Sequence, residues 1–223
     1  MDEPKHLDNP RATPELLTAI TTLMQRRGLK GLTMDSVACN LSMSKRTLYE
    51  IFDSKREMFL AAFDFNHKKI LHRFEEIFNA SPDVMRAMLD IFIFQRDMME
   101  KVSCDFFRDM DDYFPELKKR YHEEQRRDNE SIEFIYKKGV EEGVFRPDLN
   151  FLLTCTLLKV QMESLKRMED NFPQGLTLLQ AYDGIIAGFL RSIASPKGMR
   201  IVDDVLDNLH PMQNSLKNKS EIK

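Results

Sequence analysis

Thr33-Met34-Asp35-Ser36-Val37-Ala38-Cys39-Asn40-Leu41-Ser42-Met43-Ser44-Lys45-Arg46-Thr47-Leu48-Tyr49-Glu50-Ile51-Phe52 spells two short helices folded across a tight turn. The Thr33 hydroxyl suits the first N-cap, and Asp35 suits the positive end of that helix. Val37, Ala38 and Leu41 recur at helical spacing, and small Ala38 permits a close crossing. Ser42 stands at the turn, Met43 is expected to point inward, and Ser44 caps the second helix. Leu48 and Ile51 then face inward with Phe52 beside them. Lys45, Arg46, Thr47 and Tyr49 face outward. Charged and hydroxyl side chains at the start of such a helix have the chemistry for phosphates and base edges. The pattern is that of a helix-turn-helix, whose second helix enters the DNA major groove. The plainer alternative is a helical hairpin with a solvated outer face. Ser42 occupies a position where glycine is usual, and a positive φ there costs on the order of 1 kcal/mol.

The surrounding chain narrows the classes. Its 223 residues are 42% hydrophobic with eight glycines and nine prolines, which favours long helices over a loop-rich β fold. The net charge is −3, so the whole protein is not a general nucleic-acid binder. Between residues 42 and 56, however, Lys45, Arg46, Lys55 and Arg56 face only Glu50 and Asp53, a local positive surplus. Cys39, Cys104 and Cys155 are isolated, as expected in a reducing cytosol. No run of about 18 apolar residues suggests a membrane span, and Met1 to Arg11 does not read as a secretory signal. No metal site is expected: His67 and His72 are spaced i, i+5, and no cysteine or histidine pair has zinc-finger spacing. No phosphate loop, nucleophile elbow or other catalytic arrangement is visible, so neither an enzyme nor a cofactor is expected.

Working outward, Thr13 and Pro14 open a helix to about Arg27, which Gly28 ends. Ser54 and Glu57 form a capping box for a long helix to about Asn79, ~37 Å in length. Further helices are predicted over 81–101, 103–112, 115–143, 149–168 and 177–195. Pro196, Lys197 and Gly198 are expected to break the chain before a last short helix at 201–209. The implied division is a DNA-binding domain at 1–57, a helical regulatory and dimerisation domain at 58–210, and a polar tail at 211–223.

The segments Gly31 to Ala38, Ser44 to Phe52 and Ser54 to Glu57 resemble the DNA-binding domain of the tetracycline-repressor (TetR) family of bacterial transcription regulators. The likeness is strong over about residues 13–65. A weaker echo runs from Lys138 to Leu149. The resemblance implies an all-α protein with an N-terminal three-helix helix-turn-helix domain, joined by a long helix to a larger helical ligand-binding and dimerisation domain. It implies a cytoplasmic homodimer, associated with the nucleoid when bound to operator DNA. By position, Thr33, Tyr49 and Lys55 would hold phosphates, Lys45, Arg46 and Thr47 would sit at or near base edges, and Ser44, the cap of the second helix, would belong to the same DNA-binding set. Arg46 stands where many members have glycine. It would extend base readout or pair with a phosphate.

The last two long helices would make a dimer bundle through Leu157, Leu158, Met162, Gly184, Ala187 and Gly188. The alternative is that both pack inside one subunit. Met88, Phe92, Met99, Phe106, Phe107 and Met110 are candidate pocket residues for an apolar small-molecule inducer, because methionine-rich surfaces adapt to varied ligands. They could equally be plain core. The functional expectation is a dimeric repressor released from a pseudo-palindromic operator by such an inducer. The rival is a helical protein-binding adaptor, or a regulator without a ligand.

Overall fold

The computed structural model describes residues 10–114, 129–165 and 175–209, and these are α-helical apart from turns and one isolated β-bridge between Phe145 and Ala194. The helices are α1 (Pro14–Arg27), α2 (Met34–Asn40), α3 (Lys45–Ile51), α4 (Lys55–Ala80), α5 (Val84–Glu100), α6 (Cys104–Tyr113), α7 (Asn129–Glu141), α8 (Phe151–Leu165), α9 (Leu178–Ile193) and α10 (Pro196–Leu209). They divide into two compact units, Met1–Glu76 with Glu100–Arg120, and Ile77–Met99 with Tyr121–Lys223.

In the first unit, the Thr13 hydroxyl accepts from the Leu16 N–H at 3.3 Å, and Pro14 takes the first helical position, where its missing N–H costs nothing. Leu17, Ile20 and Met24 are buried along one stripe of α1. Thr21 is buried beside them, and its hydroxyl donates to Leu17 O at 2.8 Å and to Ala62 O at 3.2 Å, tying α1 to α4. Ile20, Val37 and Leu48 are 0% exposed. Burying each contributes ~1.5–3 kcal/mol, against ~1 kcal/mol for a helix cap. The shared core therefore holds these short helices in place, and the caps set where they begin.

The unit boundary lies elsewhere than after residue 57. Much of α4 stays with the helix-turn-helix, its Met58, Phe59, Ala61 and Ala62 buried in the same core. The chain then returns as α6. There the Ser103 N–H donates to Gln25 O at 2.7 Å, and Arg56 donates to Tyr113 O at 3.2 Å. Phe114 lies 6.2 Å from the Phe59 ring and under the Arg56 guanidinium.

The second unit is built on α5, α7, α8, α9 and α10. Glu142 accepts from the first N–H of α5, at Val84, at 2.8 Å. Gly139 packs under Phe145, whose ring a Cβ would strike, and Phe145 stacks on Phe151, which stacks on Tyr136. Thr177 and Gln180 form the expected capping box of α9. Along that helix Tyr182, Ile186, Phe189, Leu190 and Ile193 are buried. Tyr182 donates to Phe92 O at 3.1 Å, and burial pushes its phenol well above the ordinary value. Arg96 grips Asp183 through two bonds of 2.7 and 3.1 Å, fastening α5 to α9.

The C-terminal helix differs from expectation. Pro196 opens α10 instead of breaking the chain, because it occupies the first turn and Ser195 caps it. The Ser195 hydroxyl accepts from the Gly198 N–H at 3.1 Å and donates to Gly143 O at 2.6 Å. Of the helix expected over 115–143, Asn129–Glu141 is described, and 115–128 lie outside the described residues. The expected extension of α8 to 168 and the tail at 211–223 also lie outside them.

Candidate nucleic-acid interface

The hairpin of α2 and α3 is closed by its own backbone. Thr33 accepts from the Ser36 N–H at 3.1 Å while the Ser36 hydroxyl accepts from the Thr33 N–H at 2.8 Å, a reciprocal box at the start of α2. At its end the Met43 N–H donates back to Ala38 O at 2.9 Å, with Ser42 at φ 54°. Ser42 is the one described non-glycine residue at positive φ. It takes the left-handed position that lets the turn satisfy the last carbonyls of α2. The predicted departure is thus real, and the hairpin accommodates it.

Ser44 caps α3, accepting from the Thr47 N–H at 3.0 Å, and the two hydroxyls lie 2.7 Å apart. Leu48 and Ile51 are buried beneath the helix. That fixes the opposite face outward: Ser44, Lys45, Arg46, Thr47 and Tyr49 are all exposed. Thr33 is exposed on the same unit. The Arg46 side chain is 89% exposed, and its Nε lies 3.0 Å from Glu50 one turn on. Arg11 approaches Glu50 from the other side at 3.8 Å. Lys45 bonds Asp35 of α2 at 2.8 Å, and this partner raises its already high pKa. Exposed pairs of this kind are worth little in water, so phosphates can displace them at small cost.

Lys55 is placed differently. It is half-buried with its ammonium 5.3 Å from the centre of the Phe59 ring. Burial lowers its pKa, while the charge of Asp109 works the other way.

The expected pocket residues fall in two places. Phe106 and Met110 pack against the first unit's core, whereas Met88, Phe92 and Met99 pack against the second. The side chain of Phe107 lies outside the described residues. The five others are thus divided between the two cores. The expected dimer residues also separate. Leu158 and Met162 pack against their own second core, while Leu157 is 55% exposed. Gly184 and Gly188 are exposed, with nothing within 4 Å of where a Cβ would stand, and Ala187 is half-buried.

The structure adds to the outward face of α8 Leu152, Leu153 and Val160, all at least half exposed. This side was legible as an apolar run. Which residues turn inward depends on packing, which takes Phe151, Cys155, Leu158, Met162 and Leu165. Burial there pushes the Cys155 thiol up to about 11. Asp35 and Glu50, as partners of the α3 cations, and Asp109 were not among the expected site residues. The spacing of Arg46 and Glu50 (i, i+4) could have shown the first of these contacts.

The family model for bacterial regulatory proteins of the tetR family matches residues 16–62. An uncharacterised HTH-type transcriptional regulator of Mycobacterium tuberculosis is 46% identical over 55 residues, which are 25% of this chain and 27% of that protein. The chain thus spans about a quarter of the length of the curated relatives it matches. In fold, it is similar to a TetR-family transcriptional regulator from Marinobacter aquaeolei, with a TM-score of 0.64 at 19% identity over 89% of this chain and 98% of that one. It is also similar to a ketosteroid transcriptional regulator of Mycobacterium tuberculosis, with a TM-score of 0.56 at 21% identity over 84% and 96%.

Proposed function

We propose that this chain acts as a dimeric repressor on a pseudo-palindromic operator, as a member of the tetR family of bacterial transcriptional regulators, whose model matches residues 16–62 and which is not a family of enzymes. The observation that carries the reading is the capped α3. Its inner residues Leu48 and Ile51 are locked in a core, so Lys45, Arg46, Thr47 and Tyr49 are held outward on a rigid base. A groove reader needs that arrangement, because side chains can read base edges only from a fixed platform. Arg46 has the longest exposed reach of the set and is the proposed base reader, with the bidentate geometry guanine offers. Tyr49, Thr33 and Lys55 are the proposed phosphate contacts.

Dimerisation is proposed through the outward side of α8 and the glycine side of α9. Leu152, Leu153, Leu157 and Val160 offer apolar surface, and Gly184 and Gly188 offer close backbone approach. A two-fold axis there would set two recognition helices ~34–36 Å apart, or at a related spacing. The proposed inducer is apolar and lies among Met88, Phe92 and Met99 of the second unit. It releases DNA by favouring a half-site spacing that the operator does not match.

Selection of bound sequences from random DNA tests the reading. A two-fold-related pair of half-sites is expected, with affinity that falls steeply as salt rises. Failure to enrich any sequence, or salt-independent binding, overturns it. Membrane attachment through a spanning helix is no part of the proposal, since no helix among the described residues is long and apolar enough to cross a membrane.

A further inference from the structure

We propose that Asp109 is a positioning residue for DNA binding: from α6 it pins the segment that delivers Thr33 and the start of α2. The proposal rests on the DNA-binding reading above. One carboxyl oxygen of Asp109, on a residue only 7% exposed, accepts from two successive backbone donors, the Leu29 N–H at 2.6 Å and the Lys30 N–H at 2.8 Å. These donors lie 80 and 79 residues away along the chain. Gly28 makes the grip possible. Its φ is +70°, and a Cβ there would stand 2.7 Å from the Asp109 oxygen and 3.1 Å from Asp105. Next to it the Ser103 N–H holds Gln25 O at 2.7 Å. The end of α1 and the first residues after it are thus fastened to α6 by three hydrogen bonds, two to the Asp109 carboxylate and one between backbones.

Besides these bonds the segment carries a long Leu32 N–H to Leu29 O bond of 3.4 Å, which closes its own turn and ties it to no other element. Leu29 and Leu32 are buried at 1% exposure and anchor its depth, but apolar contacts are non-directional. The paired N–H bonds set its orientation. Three residues beyond Lys30 comes Thr33, whose reciprocal cap with Ser36 begins α2. A phosphate contact tolerates little displacement, so a loose segment would cost affinity without unfolding the helices. Because phosphates carry no base identity, the loss should be the same on every sequence.

The experiment uses the full chain, a selected operator duplex and a random duplex of equal length, well below the unfolding temperature. Asp109→Leu removes the acceptor at similar size. It is expected to weaken binding to both duplexes by the same factor, about tenfold, and to speed amide exchange at Leu29 and Lys30. Asp109→Asn keeps an accepting oxygen and should bind within about threefold of the parent. Asp109→Glu keeps the acceptor but displaces it, and should fall between. Leu or Glu variants that lose amide protection yet bind both duplexes normally overturn the proposal. If Asp109→Leu does not fold, the Glu variant alone decides. A parent protein that binds neither duplex sinks the DNA-binding reading itself, a result distinct from normal binding by the variants.

Discussion

Two exposed helix faces point to two kinds of partner. On α3 the outward residues are Lys45, Arg46, Thr47 and Tyr49, with the cations tied to Asp35 and Glu50. On α8 the outward residues are Leu152, Leu153, Leu157 and Val160, each at least half exposed. The first face is at ease in water, and its weak ion pairs could be given up to a phosphate at small cost. The second is not, since each half-exposed leucine or valine forgoes roughly half of the ~1.5–3 kcal/mol that full burial contributes. A charged face suits a partner made and released on demand, and an apolar one suits a lasting partner.

The sharpest way to break this contrast is on α8. Leu153→Glu with Leu157→Glu should raise the dimer dissociation constant more than a hundredfold, read by sedimentation equilibrium, because charges would be buried unpaired. A dimer that persists undiminished would place the interface elsewhere. On α3, Arg46→Ala should relax preference at one operator position about 5- to 150-fold, read by competition among single-base variants. Equal losses on operator and random duplexes would remove Arg46 as a base reader. Tyr49→Phe should weaken all sequences alike by roughly fivefold, the worth of one hydrogen bond. A loss confined to one sequence would recast the phenol as a base contact. The smallest effect is expected at the hinge of the hairpin. Ser42→Gly relieves the positive φ, partly offset by glycine's entropy, and should stabilise by no more than about 0.5 kcal/mol in urea unfolding. A destabilised variant would mean that the Ser42 side chain itself supports the turn.

Legibility in the sequence followed the range of the interactions. The caps at Thr13, Thr33, Ser44, Ser54 and Thr177 lie three residues from the N–H groups they serve, and each was readable. The outward set of α3 was readable too, since Leu48 and Ile51 define its inner side. Pro196 misled, because a proline that breaks a helix and one that opens it look alike until Ser195 is seen capping. Phe106 and Met110 share a composition with Met88, Phe92 and Met99, but composition does not say which core a residue joins.

By itself the sequence determined the all-α fold, the helix-turn-helix and the residues that α3 turns outward, because helix period and capping are local. Tertiary structure alone decided that α6 returns to the first unit and that Asp109 holds Leu29 and Lys30. Those contacts join residues distant along the chain, where no periodicity links them, and only the closing of a shared core brings them within hydrogen-bonding reach.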